Sequence, residues 1–452
     1  MPTYNTDARL ASDIAKAVSD KGGICYFVGG YVRDNLLGID SKDIDIEVHG
    51  VSPDTLQAVL AQFGTVITIG SSFGVYNIKG YSLDIAMPRK ESTRGAGHRD
   101  FDIYVDPFIG TEKAAVRRDF TINSLMQNVL TGEITDHFGG LSDLEKRIIR
   151  HVNDDSFAED PLRVLRGAQF AARFGFEIAE ETIALCAAMD LTALSRERIE
   201  AELKKALLKS DKPSVFFENL RKMNQLDYWF IQLNSIIGIP QNPHFHSEGD
   251  VWNHTMMVLD EAAEHRNNAR NPFGFMLAAL CHDFGKAVCT KNEDGKIRSI
   301  GHEKEGLPLI EAFMHRITTE TKLINYVLNL CALHMKPNAL AAMNAGIKAT
   351  NKMFDQCTDP TALVYMAMAD NYGRIIPCGI TPHENFLFKR LEIYNELMSR
   401  PFVQGKDLIG AGLIPDENFS SYLEFAHKLR LAGTEKQSAL KQTLAFAKKA
   451  NR

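Results

Sequence analysis

The chain is poor in several things, and each shortage excludes a class of protein. It carries only 2 tryptophans and 16 prolines in 452 residues. There is no apolar run long enough to cross a bilayer and no N-terminal apolar core of the kind a secretory leader needs. No low-complexity stretch or internal repeat breaks the sequence, so solenoids and disordered linkers are not expected. Basic charge is not in excess: 51 Lys and Arg stand against 57 Asp and Glu, a net charge of −6. Nucleic acid would therefore have to be held by local basic patches, not by bulk charge. The 7 cysteines (25, 186, 281, 289, 331, 357 and 378) include no Cys-x-x-Cys pair. Scattered thiols of odd number are expected to be reduced and mostly buried, in a cytoplasmic protein.

What remains is an ordinary globular composition, 45% apolar and 24% charged, on a chain long enough for several domains. Residues 1–150 mix helix and strand signals: a helix over 7–21, a strand over 24–28, helices over 31–37 and 53–63, and strands over 43–48, 64–70, 74–79 and 81–87. That pattern predicts an α+β domain with a mixed sheet. From about 155 onward, apolar residues recur with a period near 3.6, at 160–175, 179–189, 197–208 and 213–224. The rest reads as nearly all helical, apart from a turn or hairpin near 292–301. Proline and glycine cluster near 237–250 and 374–382.

Gly29-Gly30-Tyr31-Val32-Arg33-Asp34 followed by Asp43-Ile44-Asp45 is the most informative stretch. Two glycines ending a strand allow a sharp turn and close approach of backbone to a ligand. The helix that follows presents its N-terminus, which favours anions, with Arg33 on its first turn. Along DIDIEV, Asp43, Asp45 and Glu47 share one face and Ile44, Ile46 and Val48 the other. Carboxylates so grouped repel one another unless a cation joins them, and Mg²⁺ accompanied by substrate phosphates suits them. Asp84, on a second alternating strand, is a candidate third carboxylate, either completing the metal site or helping to deprotonate a hydroxyl. The glycine-containing segment 89–100, with Arg89, Lys90, Arg94, His98 and Arg99, reads as a loop able to touch phosphates. In RRDFTIN (117–123), a helical reading puts Asp119 and Asn123 on one face, beside two arginines able to chelate phosphate. In EDPLRVLR (159–166), Asp160 caps a helix with Pro161 in its first turn. Asp160 and Arg163, three apart, offer an acceptor and a fork of donors to a base.

GGYVRD, KDIDIE, RRDFTIN, ITDHFGGLSDL, EDPLRVLR and SRERIEAELKKAL, in this order over about 24–208, resemble the class II tRNA nucleotidyltransferases, the CCA-adding enzymes, and their poly(A) polymerase relatives. The resemblance implies a polymerase-β-like head with its metal at Asp43 and Asp45. It implies triphosphate contacts from Gly29, Gly30 and Arg33, and ribose or phosphate contacts from Arg118, Asp119 and Asn123. Asp160 and Arg163 would select the base, with a further contact from Arg166. The substrates implied are tRNA, CTP and ATP, joined without a template. Gln169 departs from the pattern, since many members carry arginine there. A poly(A) polymerase, an enzyme adding only CC or only A, and a non-catalytic RNA-binding protein remain open as alternatives.

A second constellation lies further on. His254, the adjacent His282-Asp283, His302, His334 and Asp370 sit in predicted helices and must converge from a distance. Histidine beside aspartate in an apolar helix is costly unless paired or metal-bound. The set resembles the HD-domain metal phosphohydrolases over about 245–375, with CHDFGK its strongest part. That implies one or two divalent ions (Ni, Mn, Co or Mg), with His302 and His334 at a second position. His244 and His246 are expected to be structural or solvent-facing. The domain reading is head 1–150, helical neck 151–235, HD domain 236–375 and helical tail 376–452.

Overall fold

The computed structural model describes residues 3–450 except 42, 69–73, 94–100, 377–378 and 380. It divides into two compact units, one of residues 1–194 with 219–224, the other of 195–218 with 225–452.

The first unit is built on a mixed sheet. In chain order come α1 (Thr3–Ser19), β1 (Ile24–Val28), α2 (Gly30–Leu36), β2 (Ile44–His49), α3 (Pro53–Leu60), β3 (Val66–Thr68), β4 (Val75–Ile78) and β5 (Leu83–Ala86). After these follow β6 (Arg89–Thr93), β7 (Phe101–Val105), α4 (Thr111–Ala115), β8 (Met126–Asn128), β9 (Ile134–Thr135), α5 (Gly140–Lys146), α6 (Asp154–Ala158) and α7 (Leu162–Phe174). Seven strands pair in the order β3-β4-β5-β2-β1-β8-β9. Among the described residues of this sheet, β2 and β5 are the parallel pair, and their register sets Asp45 opposite Asp84. Ile44, Ile46 and Val48 enter a core with Ile14 and Val18 of α1 and Leu56 and Leu60 of α3. The alternating carboxylates are thereby forced to the other face. α3 starts where Ser52 accepts a hydrogen bond from Thr55 N (3.2 Å) and Pro53 fills the first helical position.

Three local expectations change. Residues 89–93 are not loop: they form β6, paired antiparallel with β7, while Arg94, His98 and Arg99 lie outside the described residues. β8 and β9 extend the sheet beyond β1, which the short runs at 126–135 did not signal. RRDFTIN is not an α-helix. Phe120 bridges His151 in extended conformation, and only Thr121–Asn123 makes a 3₁₀ turn. A tertiary backbone pairing has overridden the local pattern.

The second unit is helical, with one small hairpin, Lys291–Glu293 against Lys296–Arg298. Helix Pro272–Cys281 is buried from Phe273 to Cys281 and packs among helices Val251–His265, Thr321–Leu333 and Pro360–Tyr372. Their starts are local: Asp250, Asn271 and Asp359 each cap a helix by accepting a backbone N–H. Gly373 ends the last of these where a Cβ would lie 2.7 Å from Val258 N, so glycine there lets two helices close on each other. Among the described residues, no helix is long and apolar enough to cross a membrane.

Candidate functional sites

In the first unit the three carboxylates stand near one another at the end of the parallel strand pair. Asp43 precedes β2 and is exposed, Asp45 is half-buried, and Asp84 is exposed beside it in β5. Burial pushes the Asp45 carboxyl above its ordinary range; Arg118 opposes this, while the negative charges of Asp84 and Asp43 add to it. A carboxylate disfavoured by like charges is one a cation would stabilise. Asp84 Oδ1 accepts from Asn77 Nδ2 (3.0 Å). Glu47 points the same way but is engaged with His49 (2.9 Å) and Arg118 (3.2 Å). Its pKa would rise through burial, yet His49 and Arg118 hold it below the usual carboxylate range. Glu47 thus holds Arg118 at the rim.

Gly29 turns the chain between β1 and α2 with φ 65° and ψ −133°, a conformation side chains strain to adopt. A Cβ there would stand 3.6 Å from Arg118 Nη1 and 3.9 Å from an Asp45 carboxylate oxygen, so the bare turn opens onto both groups. Gly30 begins α2. Arg33 is not at the surface. Its guanidinium donates to Asp34 (2.8 Å from Nε) and Asn123 (2.6 Å), and lies over the rings of Phe170 (5.1 Å) and Phe174 (4.6 Å). Here it positions Asn123, at the junction of α2 and α7.

Asp119 is the hub of the remaining set. One oxygen accepts from Phe120 N (2.8 Å) and Asn123 Nδ2 (2.9 Å), the other from Arg166 Nε (2.8 Å). Burial would raise its pKa, but Arg166 and these donors keep it low. The proximity of Asp119 and Asn123 expected from a helix is therefore present without one. Asp160 is not the N-cap expected of it: Pro161 holds that position in α7, and Asp160, one residue before, accepts from Leu162 N (3.1 Å). Arg163 donates to the carbonyls of Ser156 (2.6 Å) and Arg117 (2.8 Å), so its direction is preset by backbone groups. Gln169 is buried, and its Nε2 makes no hydrogen bond.

The second unit brings the separated histidines together. Two triads have donor atoms all within 4.8 Å of one another: His254, His282 and Asp370, and Asp283, His302 and His334. Each histidine places Nδ1 on a backbone carbonyl: His254 on Gly373 (3.0 Å), His282 on Ala279 (2.8 Å), His302 on Ser299 (2.8 Å) and His334 on Cys331 (2.6 Å). A carbonyl accepts only, so Nδ1 carries the proton and the Nε2 lone pairs face inward. His302 Nε2 and His334 Nε2 lie 3.2 Å apart, an arrangement that calls for a cation or proton between them. Asp283 sits between the triads, Oδ2 toward His254 (3.5 Å) and His282 (3.2 Å), Oδ1 toward His302 (3.2 Å) and His334 (3.9 Å). His282 Nε2 and Asp283 Oδ2 are buried without a well-formed hydrogen bond, although Lys286 Nζ pairs with that oxygen at 2.6 Å. Burial and the neighbouring imidazoles push His334 down to about 3. This donor set fits one or two divalent transition ions, and Asp283 lies between the two triads.

His246, expected to be structural or solvent-facing, is half-buried and paired with Glu248, a residue the sequence did not single out. Glu248 accepts from His246 Nδ1 (2.7 Å) and lies 3.3 Å from His254 Nδ1, forming a third donor group. Their spacing from His254 was visible, but their loop gave no periodicity to assign a face. Lys286 and Arg374, each one turn beyond a candidate ligand, were missed likewise; Arg374 donates to Asp370 (3.1 Å).

Residues 25–150 match the poly A polymerase head domain, and 175–237 match the region described as a probable RNA and SrmB-binding site of polymerase A. The fold and this match define a nucleotidyltransferase of the poly(A) polymerase superfamily. A multifunctional CCA protein of Acinetobacter baylyi is 33% identical over 404 residues, 86% of this chain and 94% of that one. One of Actinobacillus pleuropneumoniae is 36% identical over 325 residues, 70% of this chain and 77% of its own. The chain belongs to the multifunctional CCA protein family. Its fold is also that of the Thermotoga maritima CCA-adding enzyme complexed with tRNA (TM-score 0.65, 20% identity, 97% and 95% of the two chains). A CCA-adding enzyme with ATP aligns at TM-score 0.68 and 20% identity, covering 97% of this chain and 94% of that one. Membership of this family implies use of a divalent metal.

Proposed function

We propose that the first unit adds CMP and AMP, from CTP and ATP, to the 3′ end of tRNA without a template, building or repairing the CCA terminus. The terminal hydroxyl oxygen forms a bond to the α-phosphorus, the bond from that phosphorus to pyrophosphate breaks, and the hydroxyl proton passes to Asp84. Asp43 and Asp45 would hold Mg²⁺, which when bound lowers the hydroxyl pKa and offsets developing negative charge. Gly29 and Gly30 admit the triphosphate to the start of α2. Arg118, aimed by Glu47, meets its phosphates. Asn123 and Asp119, fixed by Arg33 and Arg166, take the ribose. Asp160 and Arg163 select the base, since one accepts and the other donates in fixed directions. The observation that carries this reading is the register of Asp45 against Asp84, beside the open turn at Gly29 and the held arginine at 118.

The histidine cluster of the second unit acts as a metal-dependent phosphohydrolase on nucleotide phosphoesters, including 2′,3′-cyclic ends. His254, His282, Asp283 and Asp370 would hold one ion, and His302 and His334 with Asp283 a second. The four inward Nε2 atoms support this. Such ions, when bound, activate water against phosphorus. The division into head 1–150, neck 151–235, HD domain 236–375 and tail 376–452 accords with both activities. A cytoplasmic location accords with the free thiols of all six described cysteines.

The deciding experiment incubates tRNA lacking CCA with each nucleotide separately and together. The expected products are two C additions with CTP and a further A when ATP is added. Repeated A addition alone, or no pyrophosphate release with Mg²⁺ and CTP, overturns the reading.

A further inference from the structure

A cavity of about 550 Å³ opens above the histidine cluster, with Asp283, His302 and Asp370 in its lining. Its rim has a chemistry that the metal donors do not require. Phe245, Ile300 and Met335 line it and are 49%, 80% and 43% exposed. They come from three separate segments: the loop before helix Val251–His265, the stretch after the hairpin, and the start of helix Met335–Ala342. Exposed apolar side chains converging on a polar site mark a ligand surface more often than chance exposure does. Inorganic phosphate would have no use for them. Arg298, at the end of the hairpin, lines the same cavity and has no ion-pair partner among the described residues. Arg374, by contrast, is spent on Asp370, and Lys286 on Asp283.

We propose that this rim is a nucleoside-recognition subsite: Phe245 takes the face of a base, flanked by Ile300 and Met335, while Arg298 grips the phosphate-bearing chain beside the metal donors. The ligand class is a nucleoside phosphoester, either free or at an RNA 3′ end. Stacking on a phenyl face tolerates any base, so the subsite distinguishes nucleosides from base-free phosphates and not one base from another. The subsite rests on the hydrolase reading for its chemistry, but it is testable by binding alone.

The test is calorimetric titration of the full chain, equilibrated with Mn²⁺, using adenosine 3′-monophosphate, glycerol 2-phosphate and a short RNA ending in a 3′-phosphate. The adenosine compound is expected to bind the wild type more tightly than the glycerol compound. Phe245→Ala should weaken the adenosine compound at least about fivefold and bring the two affinities together. Phe245→Leu, which keeps apolar bulk without the ring, should fall between. Arg298→Gln should weaken both ligands. If the short RNA loses affinity with Phe245→Ala and the free nucleotide does not, the source is an RNA end; the reverse pattern assigns free nucleotides. Equal weakening of adenosine and glycerol compounds by Phe245→Ala, no weakening of any ligand, or no binding to the wild type overturns the subsite. Binding discrimination without hydrolysis would remove the hydrolase reading and leave the subsite standing.

Discussion

On the proposed reading, the carboxylate site of the first unit and the histidine cluster of the second would both hold positive charge near phosphorus, and they are built in opposite ways. The first is open. Asp43 and Asp84 are exposed, Asp45 is half-buried, and Asp43, Asp45 and Asp84 do not figure among the compact groups of three donors. On the proposed reading a nucleotide would complete it with its own phosphate oxygens. The second is enclosed: His254, His282, Asp283 and His334 are all at most 1% exposed, and nearly every ligand is supplied by the protein. The difference teaches that an open pair of carboxylates suits a site which must admit two large substrates and release pyrophosphate. A buried cage of imidazoles suits one that keeps its ions between turnovers.

The largest expected effect separates the two sites. Asp45→Ala should reduce nucleotide addition by at least about a thousandfold, with cyclic-phosphate hydrolysis and thermal stability retained. Normal CTP incorporation by this variant would break the comparison outright. Its mirror is Asp283→Asn, which removes the carboxylate between the two triads. Metal content by atomic absorption should fall and hydrolysis should vanish, while CCA addition proceeds; unchanged metal content would show that Asp283 does not hold the ions.

A smaller effect tests how far the open site depends on its supports. Asp119→Asn weakens the anchor of Arg166 and Asn123, and addition should drop about ten- to hundredfold, mostly through KM for nucleotide. The same variant has a pH signature. Asp119 sits below its unfolded value of about 3.9, so its ion pair stabilises the fold above that pH, and the benefit is lost as pH falls from there toward the lower folded value. Acid unfolding of the wild type and Asp119→Asn should therefore converge at low pH, and curves that stay parallel would exclude this linkage. The smallest expected effect is Gln169→Leu. It removes a buried donor that has no partner, so stability in urea should be unchanged or higher by about 1 kcal/mol. A loss of CTP affinity instead would give Gln169 a place at the nucleotide.

Legibility in the sequence followed the range of the interactions. Ile24–Val28, the turn at Gly29 and the alternation of DIDIEV were readable because each is set within a few residues. RRDFTIN was misread as helical because its conformation depends on Phe120 pairing with His151, far along the chain. Strands β8 and β9 are three and two residues long, too short for a period to register, and they exist because β1 offers an edge. In the second unit the candidate histidines and aspartates could be named from the sequence, yet the position of Asp283 between the two triads and the pairing of Glu248 with His246 could not.

The sequence by itself determined the chemical types, the α+β order of the first unit, the helical character of the second, and the face to which Asp43 and Asp45 turn. Alternation and capping are local, so the chain states them directly. Tertiary structure alone decided that Asp84 lies beside Asp45, that Arg33 supports Asn123 from within, and that the Nε2 atoms of four histidines gather around Asp283. Those facts depend on strand order and on helices closing at contacts such as Gly373 against Val258, and no short window of sequence contains both partners.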